Sequence, residues 1–267
     1  MSVKLLTTAA LATTMLVAPA LAETYETDLG TVSVEPYVEG LQFPWGMAFL
    51  PDGSALVTER EGTLRLVSAD GSLSDPITGV PEVDIRGQGG LLDVEIDPDF
   101  ESNRYVYMSF AEPGDDDTNS TAVARGVLNE DMTEITDLEV IFSQQPKVLS
   151  ELHYGSRLTF DNDGYLFITT GERSEPEFRV LSQDLGTHLG KVIRIMPDGT
   201  VPDDNPFADT EGALPEIWSY GHRNMQGAAL HPDSGQLWVV EHGPRGGDEL
   251  NKVEPGGNYG WPLLTEG

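Results

Sequence analysis

The 267-residue sequence contains no cysteine, and it is poor in basic residues and in long apolar runs. Without cysteine, the protein can form neither a disulfide nor a thiolate metal site. Only 15 lysines and arginines stand against 45 acidic residues, which gives a formal net charge of -30. Because this charge repels nucleic acid and anionic lipid, we expect neither as a partner. After the N-terminal segment, no apolar run approaches the ~20 residues of a membrane span, so we expect no membrane insertion.

The first 22 residues have the pattern of a signal peptide. One basic residue, Lys4, precedes a mostly apolar stretch that is too short to span a membrane, and Ala20 and Ala22 supply the small residues that signal peptidase reads. The alternative is a buried first helix. The pattern favours cleavage after Ala22 and export to the periplasm or the medium, which leaves residues 23–267 as the folded domain.

Helical periodicity is almost absent from residues 23–267. Short runs rich in Val, Ile, Leu, Tyr and Phe alternate with Asp-Gly, Pro-Asp and Gly-Gly pairs. This punctuation is typical of antiparallel strands that are joined by tight turns. The sequence therefore predicts an all-β protein.

A strand-turn-strand unit recurs four times, at intervals of about 45 to 70 residues, which is the size of a propeller blade. The units span residues 46–58, 92–108, 156–168 and 227–240. A β-sandwich also has short strands, but it lacks this recurring unit, so the repeat favours a β-propeller. Since a propeller closes by pairing its last blade with its first, and the sequence stops at Gly267 after a turn-like segment, we expect about four blades in a chain that is incomplete at its C-terminus.

Glycine and polar residues are concentrated in five segments next to the predicted strands. In a propeller, such loops gather at one mouth of the central channel, where ligands bind. The five segments are residues 86–92, 151–157, 220–224, 241–249 and 255–262.

These segments carry a resemblance to a known family. The motifs GQGGLL, LHYGSRL, SYGHRNMQG, EHGPRGGDELN and GGNYGWP occur in the order found in the soluble quinoprotein glucose dehydrogenases and the related aldose sugar dehydrogenases. The resemblance covers roughly residues 35–267. It implies a six-bladed propeller in the intact protein, which holds pyrroloquinoline quinone (PQQ) beside a calcium ion and oxidises the anomeric hydroxyl of aldoses to lactones.

His153, in LHYGSRL, matches the general base of this family. An imidazole titrates near neutral pH and can take the hydroxyl proton while hydride leaves for the quinone. A single histidine in such a segment can also be a structural hydrogen-bonding residue. In the glucose-specific branch an aspartate precedes the base, whereas here the neighbour is Leu152. The group that orients His153 is therefore not evident from the sequence, and strict glucose specificity is not expected.

Three further residues match positions at the cofactor. Gln88 has an amide that can donate to and accept from a sugar hydroxyl or a quinone oxygen. Arg223 and Asn224 match the pair that meets the quinone, where a guanidinium would stabilise developing negative charge. The alternatives are a turn at Gln88 and an arginine that only links two blades.

The predicted metal ligands lie in the last two motifs. Gly243 and Pro244 match positions whose main-chain carbonyls hold the active-site calcium, which would polarise the quinone carbonyl. Glu249 and the carbonyl of Tyr259 match an additional, structural calcium site. Asp248 is close enough in the sequence to assist. The alternative for residues 243–249 is an acidic turn without a metal.

The sequence thus predicts a PQQ- and calcium-dependent aldose dehydrogenase that passes electrons to an external acceptor. In the family, basic residues of the last two blades also grip the quinone, and this sequence has no position to match them. Two other functions stay open: a non-catalytic propeller that binds a carbohydrate or a protein, and a calcium-dependent lactonase. The sequence does not indicate the preferred sugar or the oligomeric state.

Overall fold

The structure is a computed structural model that describes residues 23–265. The predicted signal peptide lies outside the described residues. Within residues 23–265 the protein is built almost entirely from strands, which confirms the all-β prediction. No helix in this part of the chain has the length and apolarity to cross a bilayer.

The chain divides into two compact units at Glu39 and Gly40. The described part of the first unit contains one antiparallel hairpin, formed by β1 (Glu23–Thr27) and β2 (Gly30–Val34). Tyr25 pairs with Val32 in its register. All the strand residues of this hairpin are exposed within the structure.

The second unit contains four antiparallel sheets, each built from strands that follow one another in the chain. The first three sheets consist of β3 (Pro44–Phe49), β4 (Ala55–Glu59) and β5 (Thr63–Val67); β6 (Leu91–Ile96), β7 (Tyr105–Pro113), β8 (Asn119–Leu128) and β9 (Ile135–Ser143); and β10 (Gly155–Phe160), β11 (Leu166–Thr170), β12 (Lys191–Ile195) and β13 (Ile217–Tyr220). The fourth consists of β14 (Met225–Leu230), β15 (Leu237–Glu241) and β16 (Glu249–Lys252).

Helical segments are short. They are α1 (Phe100–Asn103), α2 (Pro176–Arg179) and two 3₁₀ turns at Asp115–Asp117 and Val180–Gln183. The four repeated units of the sequence are the first two strands of the four sheets. The prediction of about four propeller blades is therefore confirmed.

The hydrophobic core lies between successive sheets rather than at one centre. One cluster, with Leu56 and Met108, joins the first sheet to the second. A second cluster, with Tyr107 and Ile168, joins the second to the third, and Val192 and Val239 belong to the cluster between the third and the fourth. Sheets that bury both faces against their neighbours in chain order are the blades of a propeller.

Each of the first three blades is also bonded to the next by a buried hydroxyl group on its second strand. Thr58 donates to the carbonyl of Leu92 in the second blade. Ser109 donates to Ser156 in the third blade at 2.6 Å, and Thr169 donates to Met225 in the fourth at 2.8 Å. Each hydroxyl also accepts a main-chain N–H from the first strand of its own blade at 2.9 Å.

This arrangement places the candidate loops at one end of the blades. The hydroxyl bonds hold the first strands, β3, β6, β10 and β14, side by side. Since strands within a blade are antiparallel, the loop that precedes a first strand lies beside the loop that follows a second strand. The segments before β6, β10 and β14 and those after β11 and β15 therefore share one mouth.

Candidate functional site

His153 lies two residues before β10, in the loop that enters the third blade. Its backbone has a φ of 53°, in the left-handed region that few non-glycine residues adopt. The side chain is 10% exposed, so it can reach the mouth while most of the ring is packed. Left-handed conformations of this kind concentrate where the surrounding structure holds a functional group in place.

The structure identifies the group that orients His153. The imidazole Nδ1 lies 2.9 Å from Oε2 of Glu172, whose side chain is 0% exposed. Because a carboxylate can only accept, the proton of a neutral imidazole lies on Nδ1 in this pair, and Nε2 then has a free lone pair. Glu172 was missed by the sequence analysis. The available signal was its position four residues after the predicted strand-turn-strand unit 156–168, on the same side as the other motif loops.

Gln88 is in direct contact with the same loop. Its side-chain Oε1 accepts the main-chain N–H of His153 at 2.9 Å, and its own N–H donates to the carbonyl of Glu151 at 2.8 Å. The preceding residue, Gly87, has a φ of 54°, and a Cβ there would lie 2.4 Å from the Glu151 carbonyl oxygen. Only glycine permits this approach of the two loops. Gln88 and His153, predicted separately, thus lie together.

Arg223 and Asn224 join the fourth blade to this group. The main-chain N–H of Glu172 donates to the carbonyl of Arg223 at 3.0 Å. The side-chain Oδ1 of Asn224 accepts the N–H of Gly155, two residues after His153, at 3.0 Å. Asn224 is 3% exposed, and its carbonyl oxygen is engaged in holding the His153 loop.

The Arg223 guanidinium is only partly paired. Nη1 donates to the carbonyl of His242 at 2.8 Å, and the ring of Trp261 lies 5.3 Å away, within cation–π distance. Nε is buried without a hydrogen-bond partner in the described residues. Burial lowers the pKa of Arg223 and the nearby positive charge of Arg179 lowers it further, whereas the carboxylates of Glu172, Glu241 and Asp248 raise it.

The four predicted metal ligands, Gly243, Pro244, Glu249 and Tyr259, line one cavity. Its volume is about 10 Å³, room for a single water molecule or ion. Asp248 instead closes the loop, since its carboxylate accepts the Gly243 N–H at 2.7 Å. Within residues 23–265 there is no cluster of three metal-ligating side chains, so a cation here would depend on main-chain carbonyl oxygens.

The chemistry of this cavity suits a hard cation. Burial raises the pKa of Glu249, and the negative charge of Glu241, which also lines the cavity, raises it further. A divalent cation would relieve this repulsion between the two carboxylates. Carboxylate and carbonyl oxygens are the ligands that calcium prefers. The donor set therefore fits calcium.

The sequence matches the family profile described as glucose/sorbosone dehydrogenase over residues 41–267. The aldose sugar dehydrogenase YliI of Escherichia coli is 50% identical over 238 residues, which cover 89% of this chain and 63% of the relative. Quinoprotein glucose dehydrogenase B of Acinetobacter calcoaceticus is 31% identical, over 85% of this chain and 52% of the relative. The chain thus spans less than two thirds of the length of these relatives.

Solved structures of sugar dehydrogenases are also similar to this chain. A glucose dehydrogenase with 52% identity superimposes with a TM-score of 0.82 over 85% of this chain and 66% of that chain. The PQQ-bound aldose sugar dehydrogenase of Streptomyces coelicolor, at 34% identity, gives a TM-score of 0.77 over 92% of this chain and 68% of that chain.

Proposed function

The chain belongs to the glucose/sorbosone dehydrogenase family, and from this premise we propose that it is part of a PQQ- and calcium-dependent aldose dehydrogenase. The proposed reaction is oxidation of the anomeric hydroxyl of an aldose to a lactone. The observation that carries the proposal is the His153–Glu172 pair at 2.9 Å, in contact with Gln88 on one side and Arg223 on the other.

His153 would act as the general base. With Nδ1–H donated to Glu172, the Nε2 lone pair is available to take the anomeric hydroxyl proton. The buried Glu172 carboxylate would stabilise the imidazolium that forms, in a site where little water screens the charges. The residue before the base, Leu152, has no carboxylate, and Glu172 supplies the orienting carboxylate from the loop after β11.

Arg223 would meet an anionic cofactor. Its Nε has no partner among the described residues, and the guanidinium lies against the flat ring of Trp261. A planar tricarboxylate such as PQQ fits these groups because guanidinium nitrogens bind carboxylate and carbonyl oxygens. When bound, PQQ supplies the two-electron oxidant and calcium the Lewis acid that polarises it. Gln88 and Asn224 belong to the same proposed cofactor contact.

Two calcium roles are part of the proposal. Gly243 and Pro244 would hold the ion beside the cofactor through their carbonyl oxygens, and Glu249 with the carbonyl of Tyr259 would bind a structural ion. The oxygen-rich cavity of about 10 Å³ that all four residues line has room for one ion, so it supports one calcium ion held by this group of residues. The second ion rests on the family resemblance of its two ligands alone.

Export is proposed on the pattern of residues 1–22 alone. An enzyme in the periplasm or the medium would pass its electrons to an external acceptor. The acidic surface, with a net charge of -30, would favour solubility there.

The direct test is reconstitution of the full-length protein, of which we propose this chain is part, with PQQ and calcium, followed by dye reduction with several aldoses. We expect activity in the wild type, a large loss in His153→Gln, and wild-type activity in the control His231→Gln. His231 is exposed in the turn after β14, at the other end of the blades.

Other outcomes would select the alternatives. An absorbance of PQQ that does not change when the protein is added would favour a non-catalytic binding propeller. Hydrolysis of lactones with calcium but without PQQ would indicate a lactonase. Equal loss of activity in both histidine variants would refute the assigned role of His153.

A further inference from the structure

Arg173 is a fully buried charged residue that the proposed reaction does not use. It follows Glu172 in the loop after β11, and its exposure is 0%. Its guanidinium makes four hydrogen bonds to neutral oxygens. Nε donates to the carbonyl of Leu152 at 2.9 Å, Nη2 donates to the carbonyl of Ser150 at 2.8 Å and to Oδ1 of Asn119 at 2.6 Å, and Nη1 donates to the Asn119 carbonyl at 3.2 Å.

Arg173 contacts the His153 loop both before and after His153 in the chain. Ser150 and Leu152 precede His153, and the ring of Tyr154, which follows it, stacks against the Arg173 guanidinium at 3.9 Å. The hydroxyl of Ser150 donates back to the Arg173 carbonyl at 2.6 Å. One side chain thus contacts three residues that lie within three positions of the predicted base, Ser150, Leu152 and Tyr154.

The held segment is strained. His153 has a φ of 53° and Arg173 a φ of 71°, both in the left-handed region that is unfavourable for non-glycine residues. Such conformations persist only where surrounding contacts over-determine them. The fixed planar fork of arginine suits this task, because it directs several donors at once and loses little entropy.

We propose that Arg173 is the positioning residue that holds the His153 main chain in its left-handed conformation and thereby aims the imidazole at Glu172. Two consecutive residues then divide the work, since Glu172 binds the ring and Arg173 binds the main chain that carries it. The inference builds on the proposed function in taking His153 as the base, but the geometry that it concerns exists without a substrate.

The Arg173 guanidinium is also connected to the Gln88 loop by a chain of hydrogen bonds. Asn119, which accepts from Arg173, donates from Nδ2 to Oδ2 of Asp84 at 2.8 Å. Asp84 is paired with Arg86, whose hydrogen bond lowers the pKa of Asp84 to about 2 and keeps the carboxylate charged. Gln88 follows Arg86 by two residues and accepts the His153 N–H. Arg173 therefore belongs to one network that sets both loops.

The test uses Arg173→Met, which keeps an unbranched apolar side chain but removes the hydrogen-bond donors. The ring nitrogens of His153 are observed by ¹⁵N NMR in protein labelled at its five histidines, with His153→Gln for assignment. In the wild type we expect one tautomer with the proton on Nδ1. In Arg173→Met we expect a mixture of tautomers, with kcat lower by about a hundredfold, as for a catalytic group misplaced by ~1 Å, and KM little changed.

Arg104→Met is the matched control. Arg104 also donates to two carbonyls, of Leu128 and Asn129, both at 2.6 Å, and lies against the ring of Phe100, but at the opposite end of the blades. We expect it to leave the His153 signals and kcat at wild-type values. If Arg104→Met shifts the His153 signals as much as Arg173→Met, the proposed positioning role is wrong.

Two results decide the remaining cases. If Arg173→Met does not fold, Arg173→Lys replaces it, since lysine keeps the charge without the fork, and we expect a folded protein with two His153 tautomers. Wild-type tautomer signals in either folded variant, or complete unfolding of both, would overturn the proposal. A wild type that shows the Nδ1–H tautomer but oxidises no aldose would refute the proposed function and leave this inference standing.

Discussion

Replacement of Glu172 by glutamine separates charge from geometry at the candidate site. The glutamine carbonyl can still accept from Nδ1–H of His153 and from the N–H of Ser174, which both donate to Oε2 of Glu172. The loop should therefore keep its shape and His153 its tautomer. What is lost is the negative charge that would face the imidazolium during proton transfer.

The magnitude follows from the hydrogen bond. A bond to a charged group contributes about 1.5–3 kcal/mol and a neutral one about 0.5–1.5 kcal/mol, so the variant loses about 1–2 kcal/mol where the imidazolium forms. This corresponds to a decrease of about 5- to 30-fold in kcat. Stability should change little, because Oε1 of Glu172 is buried without a partner and burial of an incompletely paired carboxylate is itself unfavourable.

The assay is steady-state dye reduction by the reconstituted protein, with thermal unfolding measured in parallel. Glu216→Gln is the control, because Glu216 forms the second close histidine–glutamate pair, 2.8 Å from Nε2 of His188, outside the predicted catalytic group. We expect it to keep the wild-type kcat. A wild-type kcat in Glu172→Gln, or an equal decrease in both variants, would refute the role assigned to the Glu172 charge.

Two further predictions concern the metal cavity and a buried lysine. In Gly243→Ala the new Cβ would lie 2.1 Å from the Gly246 carbonyl oxygen, so we expect calcium no longer to raise the thermal midpoint of this variant. The control Gly227→Ala, whose Cβ meets only the Val240 side chain at 3.3 Å, should keep the calcium effect. An unchanged calcium effect in Gly243→Ala would contradict the assignment of the metal ligands. Burial lowers the pKa of Lys191 from 10.5 to about 7, so the unfolded chain binds more protons between these values and stability should rise with pH from about 7 to about 10. Lys191→Met should lose this component in urea unfolding at a series of pH values, and an unchanged slope would show that Lys191 does not cause it.

Much of the fold was predictable because its signals are local. Turn pairs such as Asp52-Gly53 and the strand that follows, Ala55–Glu59, are recognisable within a dozen residues, and the same unit recurs at the start of every blade. The motif loops could be assigned to one mouth because antiparallel pairing fixes which ends of successive strands meet. In the structure Gln88, His153 and Arg223 lie together there, and their roles at a cofactor stay a prediction.

The partners of these residues were less predictable. Glu172 lies 19 positions from His153, in a loop without a motif of its own, and the sequence analysis considered only the neighbour Leu152. Asn224 was predicted at the cofactor, and the structure shows that its carbonyl oxygen holds the Gly155 N–H. Such pairings depend on the packing of separate loops, so no spacing in the sequence reports them.

The sequence by itself determined the strands, the turns between them and the chemical character of the loops, because these follow from side-chain pattern, glycine positions and charge over short stretches. The tertiary structure alone decided that Glu172 meets the imidazole of His153 and that Arg173 is buried beneath the same loop. Those contacts arise when core packing and the hydroxyl bonds of Ser109 and Thr169 set the angle between neighbouring blades. That angle is a property of the packed sheets, and no single stretch of the chain contains it.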